Sequence, residues 1–301
     1  MVGGAGHIPV LLGEVLEWLD IRPEGTYVDA TVGLGGHAAE IARRLGSGRL
    51  IGIDRDAAAL EVARERLAGL GVRVELVQGN LSSIGEIARR LNIRADGVLA
   101  DLGVSSLQLD TVERGFSFRG AGPLDMRMDR RSSEGSGPAA EEIVNRWPER
   151  DLADLLYRFG EERDSRRIAR AIVRSRPIRD TEHLATVVAG ALKRGRQKLH
   201  PATKTFLALR IAVNRELEEL EQFLDQAPAT MNPRGRLVVL SYHSLEDRAV
   251  KQAFRRQDRE GILRNLTKKV IVPSEAERAA NPRSRSAKMR VAEKVAIGGA
   301  A

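Results

Sequence analysis

The sequence predicts an α/β fold: a doubly wound, mostly parallel sheet whose chain is interrupted by a helical insertion. Three observations carry this. Short β-rich runs alternate with helix-period segments through the first hundred residues, the rhythm of βαβ units. Those runs are almost continuously apolar, as expected of strands covered by helices on both faces. The rhythm stops after Asp110 and strand character returns only at residue 235.

Taken in order, TYVDATV (26 to 32), RLIGID (49 to 54), VELVQGN (74 to 80) and GVLADLGV (97 to 104) are the first four strands, separated by Ala/Arg/Leu/Glu helices. A Gly/Ser/Arg-rich loop (114 to 138) follows Asp110, and then a strand-free helical region to about residue 200. From Pro201 one long helix is expected, with Phe206, Leu209, Val213, Leu217, Leu220 and Leu224 forming a single apolar stripe at spacings of three and four. GRLVVLSY (235 to 242) is the fifth strand, and KKVIV (268 to 272) and AKMRVAEKV (287 to 295) are expected to pair at an antiparallel sheet edge. The α/β domain is thus discontinuous, 1–110 with 201–301, around a helical insertion at 111–200 expected to recognise the substrate.

Composition narrows the function classes. The 301 residues include no Cys, which excludes a disulfide scaffold, thiolate zinc sites and cysteine nucleophiles, and fits a reducing cytoplasm. No apolar run approaches the length of a membrane span, and the amino terminus lacks the basic start of a signal peptide, so a soluble, unprocessed, cytoplasmic protein is expected. The five His, at 7, 37, 183, 200 and 243, have no metal-ligand spacing, and no metal is expected. The net charge of +8 is segmented: residues 163 to 210 hold thirteen Lys/Arg against three Asp/Glu, and residues 248 to 290 thirteen against four. Each segment alone could be a solvated helix face. Together, +10 and +9 on a remainder of −11, they are expected to be opposite walls of a cleft for a phosphate backbone.

The chemistry concentrates where predicted strands end. In DATVGLGGH (29 to 37), Gly33, Gly35 and Gly36 follow a strand and open a helix, permitting a tight turn and a close backbone approach. Asp54 ends the second strand, where a carboxylate accepts from both hydroxyls of a ribose. A nucleoside cofactor follows. Gly33, Gly35 and Ala38 also satisfy the dinucleotide pattern literally, so an NAD oxidoreductase is a rival, although no second dinucleotide-binding half follows. Asp101, Ser105, Ser106 and Gln108 in DLGVSSLQLD, and Ser241, His243 and Ser244 in SYHSLEDR, fall on the same carboxyl-edge rim. These serines and Asp101 also have a plainer reading as loop and cap residues. His243 could be a general base, a hydrogen-bonding group or an ordinary strand-end histidine. A Ser/His/Asp hydrolase lacks its G-x-S-x-G elbow here.

The ordered set HIPVLLGEVL (7 to 16), DATVGLGGH, IDRD (53 to 56), DLGVSSLQLD, RGFSF (114 to 118), PLDMRMD (123 to 129), HPATKTFLALRIAVNREL (200 to 217), SYHSLEDR and NPRSRSAKMR (281 to 290) resembles the bacterial ribosomal RNA small-subunit methyltransferase H family over essentially the whole chain. The resemblance implies a class I methyltransferase fold with a helical insertion. It implies methylation, from S-adenosylmethionine, of the exocyclic N4 of a cytidine in the decoding region, and hence 16S rRNA or the 30S subunit as partner. It places backbone at Gly35, Gly36 and His37 near the methionine and ribose end of the cofactor, Asp54 on the ribose hydroxyls, Leu81 beside the adenine, and Asp101 and Gln108 closing the site. The chain departs from the family pattern at Ala30, Leu81, Lys204 and Tyr242; Leu81 stands where an aromatic is common and leaves adenine stacking open. Asp101 is expected to accept from the substrate amine, with His243 and Ser244 positioning the base. Phe116 and Phe118 are either base-stacking groups or pins that hold the insertion. A non-catalytic rRNA-binding assembly factor is the remaining alternative.

Overall fold

The computed structural model describes residues 8–130, 138–192 and 200–296. His7, residues 131–137 of the Gly/Ser/Arg-rich loop, and the four Lys/Arg within 193–199 of the first basic segment lie outside the described residues. The chain packs as two compact units, 1–105 with 217–301, and 106–216. Residues 201–216, grouped with the sheet on the sequence pattern, are therefore packed in the helical unit.

The first unit holds a seven-stranded sheet: β1 (Thr26–Asp29), β2 (Arg49–Asp54), β3 (Arg73–Gln78), β4 (Ala95–Asp101), β5 (Met231–Ser241), β6 (Leu263–Asn265) and β7 (Lys288–Lys294), in spatial order β3-β2-β1-β4-β5-β7-β6. β1 to β5 are parallel, and β7 is antiparallel to both β5 and β6. The expected strand at 268–272 does not form. Ile271 makes a single antiparallel bridge to Met289, and residues 263–265 take the edge position beside β7 instead. The edge residues Lys268 and Lys269 are exposed, and an edge stretch with one apolar neighbour per bridge has little to hold it in a ladder.

Side chains alternate across the strands, so each face has its own core. Val28, Ile51, Ile53, Val98, Ala100, Leu237 and Val239 point to one face, where α4 (Ile84–Arg90), α11 (Glu216–Gln226) and α12 (Ser244–Arg259) supply Ile84, Ile87, Leu220, Phe223, Leu224, Val250 and Phe254. Tyr27, Leu50, Leu99, Val238 and Leu240 point to the other, covered by Val15 and Leu19 of α1 (Leu12–Leu19), Ala38 and Ile41 of α2 (Gly36–Ala42), and Leu60 and Ala63 of α3 (Ala57–Leu67). Each fully buried Leu or Ile contributes roughly 1.5–3 kcal/mol, so both layers are needed, and the continuous apolar strands follow from having two. A short helix, α13 (Glu275–Ala280), precedes β7; its Glu277 accepts from the Leu11 backbone N–H at 2.8 Å.

The second unit is helical: α5 (Ser106–Asp110), α6 (Ala140–Arg146), α7 (Glu149–Gly160), α8 (Ser165–Arg174), α9 (Thr181–Ala191) and α10 (Thr203–Asn214). α7 packs against α8 and α10, and α8 against α9, burying Leu152, Leu156, Ile168, Ile172, Leu184, Val188 and Leu209. The single long helix expected from residue 201 is two: Arg215 adopts φ 51° and ends α10 before α11 begins. The apolar stripe continues across the break, so spacing alone could not show it. Tertiary contacts outweigh helix continuity here. The Asn214 amide donates to the Met126 carbonyl and its oxygen accepts from the Met128 N–H, both at 2.8 Å, while Arg210 grips Glu216 through two 2.8 Å bonds across the turn.

Candidate active site at the carboxyl edge of the sheet

In this strand order the chain leaves β1 for β2 and β3 on one side, and enters β4 and β5 on the other. The crevice beyond the carboxyl ends of β1 and β4 is the switch point at which doubly wound sheets bind ligands. Asp29 ends β1, Asp54 ends β2 and Asp101 ends β4.

The turn after β1 is built for close approach. Gly33 and Gly35 have φ of 50° and 77°, a region L side chains rarely adopt. A Cβ on Gly35 would stand 3.3 Å from the Ala63 Cα, so a glycine is also needed for packing on α3. No side chain caps the first turn of α2. Asp54 is tied to this turn: one carboxylate oxygen accepts from the Gly33 N–H and the other from the Asp56 N–H, both at 2.8 Å. Burial raises its proton affinity, while those two N–H groups pull it back down. Each oxygen keeps a second lone pair, so the aimed carboxylate fits a ribose diol. Leu81 opens the turn after β3, half-buried against the apolar cluster of that face, an aliphatic surface on which a planar ring can lie.

Asp101 is held from three directions within the sheet unit. Its backbone N–H donates to Thr31 Oγ1 at 2.6 Å, the Tyr242 hydroxyl donates to its Oδ1 at 2.6 Å, and His37 Nδ1 lies 3.5 Å from its Oδ2. The His37 ring, expected to contribute only backbone, is buried, and its Nε2 donates to the Val10 carbonyl at 2.9 Å. Val10 O can only accept, so Nε2 carries a proton and Nδ1 is the atom turned to Asp101.

His243 stands at the start of α12. It is the N-cap of α12: Nδ1 accepts from the Glu246 N–H at 3.4 Å, and Nε2 lies 3.1 Å from Glu246 Oε1, while Glu246 Oε2 accepts from the backbone N–H of Tyr242 and His243. Its described partners are those of a capping box. Ser244 is exposed at the first position of the same helix. Gln108 is buried on α5, in the helical unit.

Three residues escaped the sequence reading. Asp29 is buried, and desolvation, with lesser contributions from the charges of Asp101 and Asp54, pushes its carboxyl up to about 8 despite an N–H bond from Thr31. Thr31 was visible only as a loop residue and Tyr242 as a strand-end departure from the family pattern; nothing in their spacing says that both reach Asp101. Phe118 stacks on His200 and meets Phe206 edge-on, within the helical unit. Phe116 is buried under the Arg114 guanidinium. All of these contacts lie within the helical unit.

Residues 4–295 match the model of the MraW methylase family. The chain is 51% identical over 295 residues to the ribosomal RNA small subunit methyltransferase H of Koribacter versatilis, covering 95% of this chain and 93% of that one. It is 50% identical over 289 residues to the protein of the same name from Cyanothece sp., covering 96% and 95%. Among solved structures, a putative rRNA-methylase from Clostridium thermocellum is similar over 96% of this chain and all of that one, at 15% identity and a TM-score of 0.48. The mostly parallel sheet with its antiparallel β7 is a class I methyltransferase fold, and the cofactor is S-adenosylmethionine. A glycine turn after β1, a carboxylate after β2 tied to that turn, a fixed carboxylate after β4 and a match along nearly the whole length agree: the chain belongs to the MraW methylase family.

Proposed function

We propose that this protein methylates the exocyclic N4 of a cytidine in the decoding region of 16S rRNA. Its relatives at about half identity, covered nearly end to end, are named as small-subunit rRNA methyltransferases, and this supports the substrate. The observation that carries the chemistry is Asp101, a carboxylate held at the switch point by Thr31 and Tyr242.

The bound cofactor supplies an electrophilic methyl group on a sulfonium. The protein's part is alignment and exclusion of water. Asp54 holds the ribose, the backbone at Gly35, Gly36 and His37 lies along the methionine end, and Leu81 supports the adenine. A cytosine amine is a weak nucleophile because its lone pair is delocalised into the ring. Asp101 accepts a hydrogen bond from that amine, favours its tetrahedral form and would receive its proton as the N–C bond forms and the cofactor's S–CH3 bond breaks to leave a neutral thioether. His243, bonded within the α12 cap, supports this by fixing the Tyr242–Ser244 turn. The exposed arginines of α8 in the helical unit, and the exposed cations of α12 in the sheet unit, each offer contacts to RNA phosphates, and the target base is splayed from its RNA surroundings to reach the pocket.

Two measurements test this. Nucleoside mass analysis of rRNA from cells lacking the protein is expected to show loss of an N4-methylated cytidine; an unchanged nucleoside profile would overturn the substrate. Asp101→Ala is expected to slow single turnover at saturating cofactor and RNA by at least a hundredfold, of the order general-base groups contribute. A wild-type rate would remove Asp101 from the chemistry.

A further inference from the structure

A carboxylate at the end of a strand turns about a broad, roughly twofold torsion, so its two oxygens exchange unless something holds one of them. In this protein the Tyr242 hydroxyl holds Oδ1. The Tyr242 hydroxyl meets Asp101 Oδ1 at 2.6 Å, while Oδ2 lies on the side of His37 Nδ1, at 3.5 Å. Tyr242 is itself restrained at both ends. Its backbone N–H donates to Glu246 Oε2 at 2.8 Å, inside the capping box of α12. Its ring lies against Gly103, where a Cβ would meet Cδ2 at 3.6 Å. Glu246 is buried and fixed by its own helix, so a continuous chain of contacts runs from the α12 N-terminus through Tyr242 to the Asp101 carboxylate.

We infer that Tyr242 is a positioning residue for methyl transfer: by donating to Oδ1 it fixes the Asp101 carboxylate so that Oδ2 is the oxygen presented to the acceptor amine. This rests on the role proposed above for Asp101. The hydroxyl serves as a permanent donor because burial, then the charge of Asp101, raises its pKa well above the ordinary tyrosine value. The Tyr242 proton stays on Tyr242, and the proton leaving the amine goes to Oδ2. In this arrangement Glu246 and its cap matter to the chemistry through Tyr242.

The test is a double-mutant cycle between Tyr242→Phe and Asp101→Ala, with Asp101→Asn in its place should the alanine variant fail to fold. Single-turnover methylation of 30S particles at saturating cofactor and the calorimetric Kd for S-adenosylmethionine are both read. Tyr242→Phe alone is expected to slow turnover about tenfold, the scale of one hydrogen bond to a charged group, with the cofactor Kd changed less than twofold. In the Asp101→Ala background the same substitution is expected to change nothing further. A Tyr242→Phe variant at the wild-type rate, beside a slow Asp101→Ala, overturns the inference and leaves the role of Asp101 standing. Equal slowing by Tyr242→Phe in both backgrounds also overturns it, since the tyrosine would then act by packing. An Asp101→Ala variant at the wild-type rate overturns the proposed chemistry and this inference with it.

Discussion

Asp29 shows how one residue couples the site to pH. Its carboxyl is buried at the end of β1 and holds its proton up to about 8, against 3.8 for the ordinary group. The folded chain thus binds a proton that the unfolded chain releases, and the stability this gives is present on the acid side and lost as pH rises between those two values. Asp29→Asn keeps the shape without the ionisation. Thermal unfolding is expected to show the variant gaining on the wild type from pH 5 to pH 8, by at most about 1.4 kcal/mol per pH unit; parallel stability curves would count against a protonated Asp29. Asp54 makes the complementary case. Asp54→Ala removes the partner of the Gly33 N–H and, with it, the carboxylate proposed above to hold the ribose. Calorimetry is expected to show S-adenosylmethionine affinity lowered at least tenfold, about 1.4 kcal/mol or more. At this scale Gly35, Gly36 and Asp54 were legible because backbone freedom and a strand-end carboxylate are properties of residue type and spacing. Asp29, Thr31 and Tyr242 were not, because their roles depend on neighbours up to 141 positions away.

Among the elements, α12 and α8 divide the work. Asp247, in the first turn of α12, bonds Arg290 at 2.7 Å and Lys288 at 3.2 Å, joining the helix to β7. Burial disfavours its charge, but the two cations win and hold the carboxyl below its usual range. Asp247→Asn would leave the buried Arg290 short of its counter-charge and is expected to cost about 2 kcal/mol at neutral pH in denaturant unfolding. That difference fades as the wild-type carboxylate protonates in acid. α8 buries Ile168, Ala169 and Ile172 and turns Arg166, Arg167, Arg170 and Arg174 to solvent. Of these, Arg170 faces Glu149 at 3.4 Å. Replacing Arg166, Arg167 and Arg174 by Gln is expected to weaken rRNA binding and reduce the slope of log K against log salt by about 2, with cofactor affinity unchanged. An unaltered salt slope would place the RNA elsewhere. Helical periodicity showed the apolar stripe from Phe206 to Leu224 but missed the break at Arg215, and β character suggested a strand at 268–272 that does not form. In both places long-range partners, Asn214 on the 126–128 segment and residues 263–265 on β7, decide the backbone.

For the whole molecule, no helix among the described residues is long and apolar enough to cross a membrane. The sequence by itself determined the α/β class, the approximate place of each parallel strand, the existence of a helical insertion and the glycine turn with its paired Asp54. These follow from local periodicity, residue chemistry and short spacing, which operate within a few tens of residues. Only the tertiary structure decided the strand order, the edge pairing, the units' limits at 105/106 and 216/217, and the grouping of Thr31, His37 and Tyr242 around Asp101. It also gave His243 its place as the cap of α12. The physical reason is that a hydrogen bond between a strand end and a residue far along the chain leaves no periodic trace. It exists only once the two sheet faces have buried their apolar side chains and brought the carboxyl ends of β1, β4 and β5 together.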